Sequence, residues 1–311
     1  MGKRLINSLS GRGHDGYVLE HKRKPALCSG LVSVPGSLSD VHTYSDYLRD
    51  VDVVIHLAAT VDDWSLKDNY YKVILDGTKL LFEQSLNLGI KHFIFVSSLS
   101  VVNDTTDNII NEQSPYMPKP FCYYANSKIE AEKKLIDMSN KRKIKLTILR
   151  AGWVIGGSDS ILLKNLGNRI GHIFLPTRGL RLPLTDIDQL SRLLLKVVET
   201  KPGDNTNNNQ ILHAVDFDPT WEEFVSAISR VIGKNIKIRY FNASLLWLLC
   251  LANYFVRRLI GVPKSKKIIS PTAYQLIVSH NRFQSLFTQK KLGITTSPVS
   301  LDVLLRRSLK V

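Results

Sequence analysis

The sequence predicts an α/β fold built on a parallel sheet. Short apolar runs of strand length alternate along the chain with longer runs of helical length, the order that lays helices over a sheet. The runs at Val53 to Leu57 and Phe93 to Val96 are apolar at nearly every position, as strands covered on both faces are. At 311 residues the chain can bury one large core, or a core plus a smaller lobe.

The elements follow in order. Leu5 to Leu9 reads as part of a helix ending near Gly11 to Gly13. Gly16-Tyr-Val-Leu19 is a strand that ends at Glu20, and Leu31 to Val34 is a further short strand, followed by Gly36-Ser37-Leu38. Val53 to Leu57 ends in His56-Leu57-Ala58-Ala59. The small residues there would let another molecule come close, and His56 reads as structural. A helix is expected from about Lys67 to Leu88. Phe93-Ile-Phe-Val-Ser-Ser98 is a buried strand ending in two serines, and Val101 to Phe121 is a polar, proline-containing loop. Tyr124 opens a polar helical run that continues from Asn126 to Met138. Leu146 to Leu149 is another buried strand, closed by Arg150. Beyond Gly156, helices are expected at Ile187 to Thr200, Trp221 to Ile232 and Leu301 to Leu309, with a polar loop at 205–209. Two units are expected, 1–156 and 157–311, the second returning some elements to the sheet. No internal repeat is visible.

Tyr124 and Lys128 stand four positions apart, so on a helix they share a face. With Ser98 at the carboxyl end of its strand, a hydroxyl donor, a phenol and an ammonium meet in one pocket. Such a trio suits proton transfer at a secondary alcohol or ketone. A phenol near its usual pKa of ~10 is a poor base, and an adjacent ammonium would lower that pKa. Ser98 would hold the substrate oxygen. The hydride must go to or come from a cofactor, because no side chain accepts one.

Tyr124-x-x-x-Lys128 with Ser98 upstream resembles the catalytic centre of the short-chain dehydrogenase/reductase superfamily. The surroundings resemble its extended branch of NAD-dependent epimerases, dehydratases and 3β-hydroxysteroid-dehydrogenase-like enzymes. The matching runs are Asp52-Val-Val-Ile-His-Leu-Ala-Ala59, Gly77-Thr-Lys-Leu-Leu81, Ile148-Leu-Arg-Ala-Gly-Trp-Val-Ile-Gly156, Thr220-Trp-Glu-Glu-Phe224, and Lys291-Leu-Gly-Ile294 with Val299 to Leu305. The resemblance implies a Rossmann-like, doubly wound parallel sheet with a small C-terminal substrate lobe. It also implies catalytic Ser98, Tyr124 and Lys128, an NAD or NADP cofactor, with Lys128 also on the nicotinamide ribose, and family-type homodimers. Two positions depart from the pattern: Ile74 stands where relatives usually carry an asparagine of the proton relay, and Ala151 where they usually carry proline.

Seen through that resemblance, the start of the chain is unusual. Met1 to Leu5 looks like the end of a glycine-rich phosphate-binding turn, with Gly2 in the place of its third glycine. The first strand and most of the turn are missing from the sequence, so an N-terminally truncated or mis-started chain is expected, with a gap in the sheet. The remaining cofactor contacts would be Gly2, Glu20 and His21, Ser37 and Leu38, Leu57, Ala58 and Ala59, and Lys128. Glu20 favours NAD by accepting from ribose hydroxyls, whereas His21-Lys22-Arg23 could attract the 2′-phosphate of NADP.

The formal net charge is +15, high for an enzyme of small metabolites. A lysine-rich solvated surface is the first explanation, an anionic membrane the second and nucleic acid a distant third; no aromatic-interleaved RNA motif accompanies the charge. The three cysteines have no metal-ligand spacing. No secretory signal and no apolar run of ~20 residues is visible, so a cytoplasmic location is expected. Ala243 to Val256 is nonetheless strongly apolar and is followed by Arg257, Arg258, Lys264, Lys266 and Lys267. This is either an interfacial helix giving 243–267 peripheral membrane contact, or a buried or dimer-forming helix. Three functions stay open: a dehydrogenase of a hydrophobic, sterol-like alcohol, a nucleotide-sugar epimerase or dehydratase, and a scaffold with a damaged cofactor site.

Overall fold

The computed structural model describes residues 1–21, 24, 27, 29–60, 65–142, 144–157, 160, 162–163, 166, 172–200, 209–260, 270–294 and 299–309. Lys22, Arg23, Cys28, most of the 205–209 loop and the lysines at 264, 266 and 267 lie outside the described residues.

The central sheet contains β3 (Val53–His56), β4 (His92–Ser98), β6 (Lys145–Ala151) and β10 (Gln210–Ala214). It runs in the order β10-β6-β4-β3, with every pair parallel. The alternation of side chains along β4 and β6 explains its two coats. Phe93, Phe95, Leu146 and Ile148 point to one face, where they pack with Phe82 of α3 (Gly77–Asn87) and Leu135 of α4 (Tyr123–Asn140). Ile94, Val96 and Leu149 point to the other, against Leu5 of α1 (Gly2–Ser10) and Leu190 and Leu194 of α5 (Ile187–Glu199). The sheet is therefore doubly wound.

β1 (Gly16–Glu20) and β2 (Leu31–Pro35) form a separate parallel pair. Leu19, Val34 and Val54 share one apolar cluster, yet among the described residues no strand pairing joins β1 to β3. The sheet is thus split where the sequence led one to expect a gap.

The helix expected from Lys67 to Leu88 is interrupted. α2 (Lys67–Tyr70) passes into a π-helical segment, Tyr71–Asp76, before α3 resumes. Ile74 lies in that wide turn and is fully buried, packed with Tyr70 in the cluster beneath α4. Apolar packing holds the distortion here without an asparagine.

A second core joins Ile155, Leu182, Leu184, Trp221, Phe224, Leu304 and Leu305. It is built from β7 (Trp153–Ile155), β9 (Leu184–Asp186), α6 (Trp221–Ile232) and α10 (Leu301–Leu309). The start of α6 was legible in the sequence. Thr220 accepts from the Glu223 N–H while Glu223 accepts from the Thr220 N–H, and Gly233 closes the helix at φ 65°, a conformation that favours glycine. α7 (Ala243–Ile260) and α8 (Pro271–Ile277) pack together beside the loop that precedes α4.

Candidate active site

β4 ends at Ser98, where the chain turns into a short 3-10 segment, Leu99–Val101. The Ser98 hydroxyl oxygen accepts from the Ser100 N–H at 3.2 Å. Tyr124 sits in the first turn of α4, and its phenol comes within reach of the Ser98 side chain. Its ring meets Tyr70 edge-on with centroids 6.4 Å apart. Burial raises the phenol above its usual pKa, and the Ser98 side chain pulls against that rise. The structure therefore brings together the two residues that would handle a substrate oxygen.

Lys128 lies one turn on and is 1% exposed. Its Nζ donates to the Val96 carbonyl at 2.8 Å and stands 4.3 Å from the centre of the Phe95 ring. Burial brings its pKa down to about 7, with Glu132 opposing the fall. His56, whose Nε2 pairs with the Thr78 hydroxyl at 2.8 Å, is brought down to about 3 by burial and then by Lys128. It is a neutral strut between β3 and α3. Tyr124 and Lys128 share a helix face, but the lysine reaches toward the sheet. Burial and Ser98, not an ammonium, set the phenol in this arrangement.

Sequence reasoning passed over Glu132, which repeats the same spacing after Lys128. Its carboxylate is fully buried and takes a two-pronged grip from Arg150, with Arg150 Nη2 to Oε2 at 2.8 Å and Nε to Oε2 at 3.1 Å. It also accepts from the Ser97 hydroxyl, and the Arg150 guanidinium lies over the Tyr116 ring at 5.2 Å. This cluster ties α4 to β4 and β6 directly behind Ser98. The spacing Tyr124, Lys128, Glu132 was the signal.

The loop before α4 is pinned on both sides. Asn126 binds the Lys119 N–H and carbonyl at 2.9 and 2.8 Å. Buried Lys119 donates to the Asn103 side chain, and burial lowers its pKa to about 8. Phe121 has φ 59°, an uncommon conformation for a bulky residue. Its carbonyl accepts from the Thr272 hydroxyl of α8 at 2.9 Å. Its ring sits about 6 Å from those of Trp247, Tyr254 and Phe255 of α7. An aromatic wall therefore stands three residues from Tyr124.

The candidate cofactor residues are placed as follows. Gly2 begins α1, with open space where a Cβ would be. Glu20 accepts from the Ser33 hydroxyl at 2.7 Å, and His21 is exposed. Ser37 shares a hydrogen bond with Ser39 at 3.0 Å, and its N–H donates to the Thr43 hydroxyl. Leu38 and Ala59 join Tyr124 in one apolar cluster, Ala58 is exposed, and Leu57 packs on the α1 face of the sheet with Leu5. Small residues at the end of β3, a carboxylate at the end of β1 and open space over Gly2 fit a dinucleotide. Among the described residues no group of His, Cys, Asp and Glu could hold a metal ion, and no helix is long and apolar enough to cross a membrane.

The model of the 3-beta hydroxysteroid dehydrogenase/isomerase family matches residues 17–170. A decarboxylating sterol-4-alpha-carboxylate 3-dehydrogenase from Dictyostelium discoideum is 30% identical over 172 residues, 52% of this chain and 52% of that protein. The chain thus spans about half the length of that relative. A 3-beta-hydroxysteroid dehydrogenase from Mycolicibacterium neoaurum is 20% identical over 94% of this chain and 83% of its own. Among solved structures, MoeE5 in complex with UDP-glucuronic acid and NAD superposes with a TM-score of 0.75 at 17% identity, covering 99% of this chain and 94% of that one. The UDP-glucose 4-epimerase of Thermus thermophilus, in complex with NAD, gives 0.73 at 16% identity over 99% and 94%. These likenesses establish the fold.

Proposed function

We propose that the chain is an NAD-dependent oxidoreductase of the extended short-chain dehydrogenase/reductase superfamily, acting at a secondary alcohol or ketone of hydrophobic, sterol-like character; the match of residues 17–170 to the 3-beta hydroxysteroid dehydrogenase/isomerase family model supports it. The observation that carries this reading is the placing of the Tyr124 phenol within reach of the Ser98 hydroxyl at the carboxyl end of β4, with Phe121, three residues ahead of Tyr124, packed on Trp247 and Tyr254. Tyr124 moves the proton at the substrate oxygen. Ser98 orients that oxygen and stabilises charge developing on it. Lys128, anchored to the Val96 carbonyl beneath the site, is the residue proposed for the nicotinamide ribose. When bound, the nicotinamide supplies the hydride acceptor or donor. Glu20 would take ribose hydroxyls, Ser37 and Leu38 the adenine, and Ala58 and Ala59 permit close approach, with Gly2 toward the phosphates. A homodimer, and peripheral membrane contact through 243–267, belong to the same proposal.

A second reading, nucleotide-sugar epimerase, is favoured by the likeness to MoeE5 and the Thermus epimerase. The test begins with titration of NADH and NADPH, followed by nicotinamide fluorescence. Saturable binding with NADH preferred supports the proposal, and net NADH formation from a hydrophobic alcohol separates the two enzymes. An epimerised sugar with the cofactor regenerated supports the second. Absence of binding by the folded chain leaves a truncated enzyme or a cofactor-free scaffold, and restoring a strand and Gly-x-x-Gly-x-x-Gly turn ahead of Gly2 decides between them: recovered binding means truncation, continued silence the scaffold.

A further inference from the structure

α7 wears its apolar face on the outside. Leu245, Leu248, Leu249, Val256 and Leu259 recur at helical spacing along one stripe, and all are exposed, Leu248 at 61% and Leu259 at 85%. A helix packed on a globular core turns such a stripe inward. Here the inward face is instead the one that carries buried Cys250 and Trp247, whose ring lies 5.2 Å from that of Tyr274. An exposed apolar patch of this kind marks a surface that docks on something.

The charge around it says what. Residues 224–301 contain twelve Lys and Arg and no Asp or Glu, so this quarter of the chain carries most of the formal charge of +15. Arg257 and Arg258 stand in the last turn of α7 itself. A second copy of the chain would bring an equally cationic surface against this one, with no carboxylate from the segment to pair it, and like-charge juxtaposition opposes such a contact. An apolar stripe on a helix that ends in two arginines and carries no acidic residue of its own fits the headgroup region of an anionic bilayer, where leucines enter the acyl boundary and guanidiniums meet lipid phosphates.

We infer that α7 lies in the surface of an anionic bilayer with its Leu245–Leu259 stripe facing the lipid, and that this sets the mouth of the proposed active site against the membrane. The second half rests on the oxidoreductase reading. It follows from the helix having two sides: the side away from the stripe packs on Phe121, three residues ahead of Tyr124. A hydrophobic alcohol then reaches the site by partitioning out of the bilayer instead of crossing water.

The test uses the full chain and sedimentation with vesicles of phosphatidylcholine alone or mixed with phosphatidylserine. The parent should bind the mixed vesicles, more weakly as salt rises. The variant Leu248→Ser/Leu259→Ser should bind at least about tenfold less; both changes are at exposed positions, and an unchanged thermal melt verifies folding. Equal binding of parent and variant overturns the inference, as does binding of the parent to neither vesicle. A parent that dimerises in light scattering while ignoring vesicles overturns it in favour of a second copy. Tyr124→Phe should bind vesicles as the parent does, and the leucine variant should turn over a water-soluble secondary alcohol as the parent does. Failure of the surface and failure of the catalytic reading are therefore read independently.

Discussion

The Lys128 ammonium donates to the Val96 carbonyl at 2.8 Å inside the protein. It is a lysine held from beneath by its own sheet, with a pKa brought down to about 7 by burial. The unfolded chain keeps this proton up to the ordinary lysine pKa, so between about pH 7 and 10 the unfolded state binds more protons than the native one. Stability should therefore rise with pH across that window. The gain is at most about 1.4 kcal/mol per pH unit from this group. Urea unfolding of the parent and of Lys128→Met at a series of pH values measures it: any stability advantage of the methionine chain should shrink as pH rises through the window. A pH-independent difference would show that Lys128 keeps its ordinary lysine pKa in the folded chain.

Catalysis should depend on Tyr124 more than on any other side chain. Tyr124→Phe should reduce turnover by roughly 10²- to 10⁴-fold while leaving NADH affinity unchanged. Ser98→Ala should lower kcat with a smaller effect on cofactor binding. Steady-state kinetics beside a fluorescence titration reads both, and undiminished turnover by the phenylalanine variant would remove Tyr124 from the chemistry.

Glu132 and Arg150 form a buried ion pair, and removing one partner leaves a charge without compensation. Glu132→Gln should destabilise the fold by about 3–5 kcal/mol. Glu132→Leu/Arg150→Met should be far milder, because both charges leave together. Equilibrium denaturation of the three chains settles the sign. Equal losses in single and double variants would mean that Glu132 supports Ser97 and β4 independently of Arg150.

Among the described residues, β1 and β3 each present an edge with no partner strand, and such edges invite one. Extending the chain ahead of Met1 with a generic β-strand and a Gly-x-x-Gly-x-x-Gly turn should strengthen NADH binding by at least about tenfold. The turn would present main-chain amides to the pyrophosphate at the start of α1. Fluorescence titration of the extended and parent chains compares them, and identical affinities would show that the split does not limit binding.

The α/β fold was legible because its signals are local. Phe93 to Val96 is apolar without alternation, and a strand between β3 and β6, with helices on both faces, has no other way to read. Ser98, Tyr124 and Lys128 were legible as a motif. The direction taken by Lys128 was not, because helix spacing fixes where a side chain starts and only the packed sheet fixes where its end finds an acceptor. Glu132 needed knowledge of Arg150 on another strand. Phe121 could not have been foreseen either, since its positive φ occurs where its carbonyl meets the Thr272 hydroxyl from far along the chain. The outward stripe of α7 was visible only as apolarity. Which side it faced depended on Phe121 and Tyr274 claiming the other.

The split sheet also divides the backbone by lifetime. Amides of β4, flanked by β3 and β6, should exchange with solvent only when the whole domain opens. The two-stranded ribbon of β1 and β2 is marginal by itself and should open first. The least protected backbone then includes Glu20, in the region where the proposed dinucleotide would cross. A ligand bridging the ribbon and the main sheet would act as a clasp: its occupancy would appear as slowed exchange at β1 and a raised melting temperature, in proportion to its concentration.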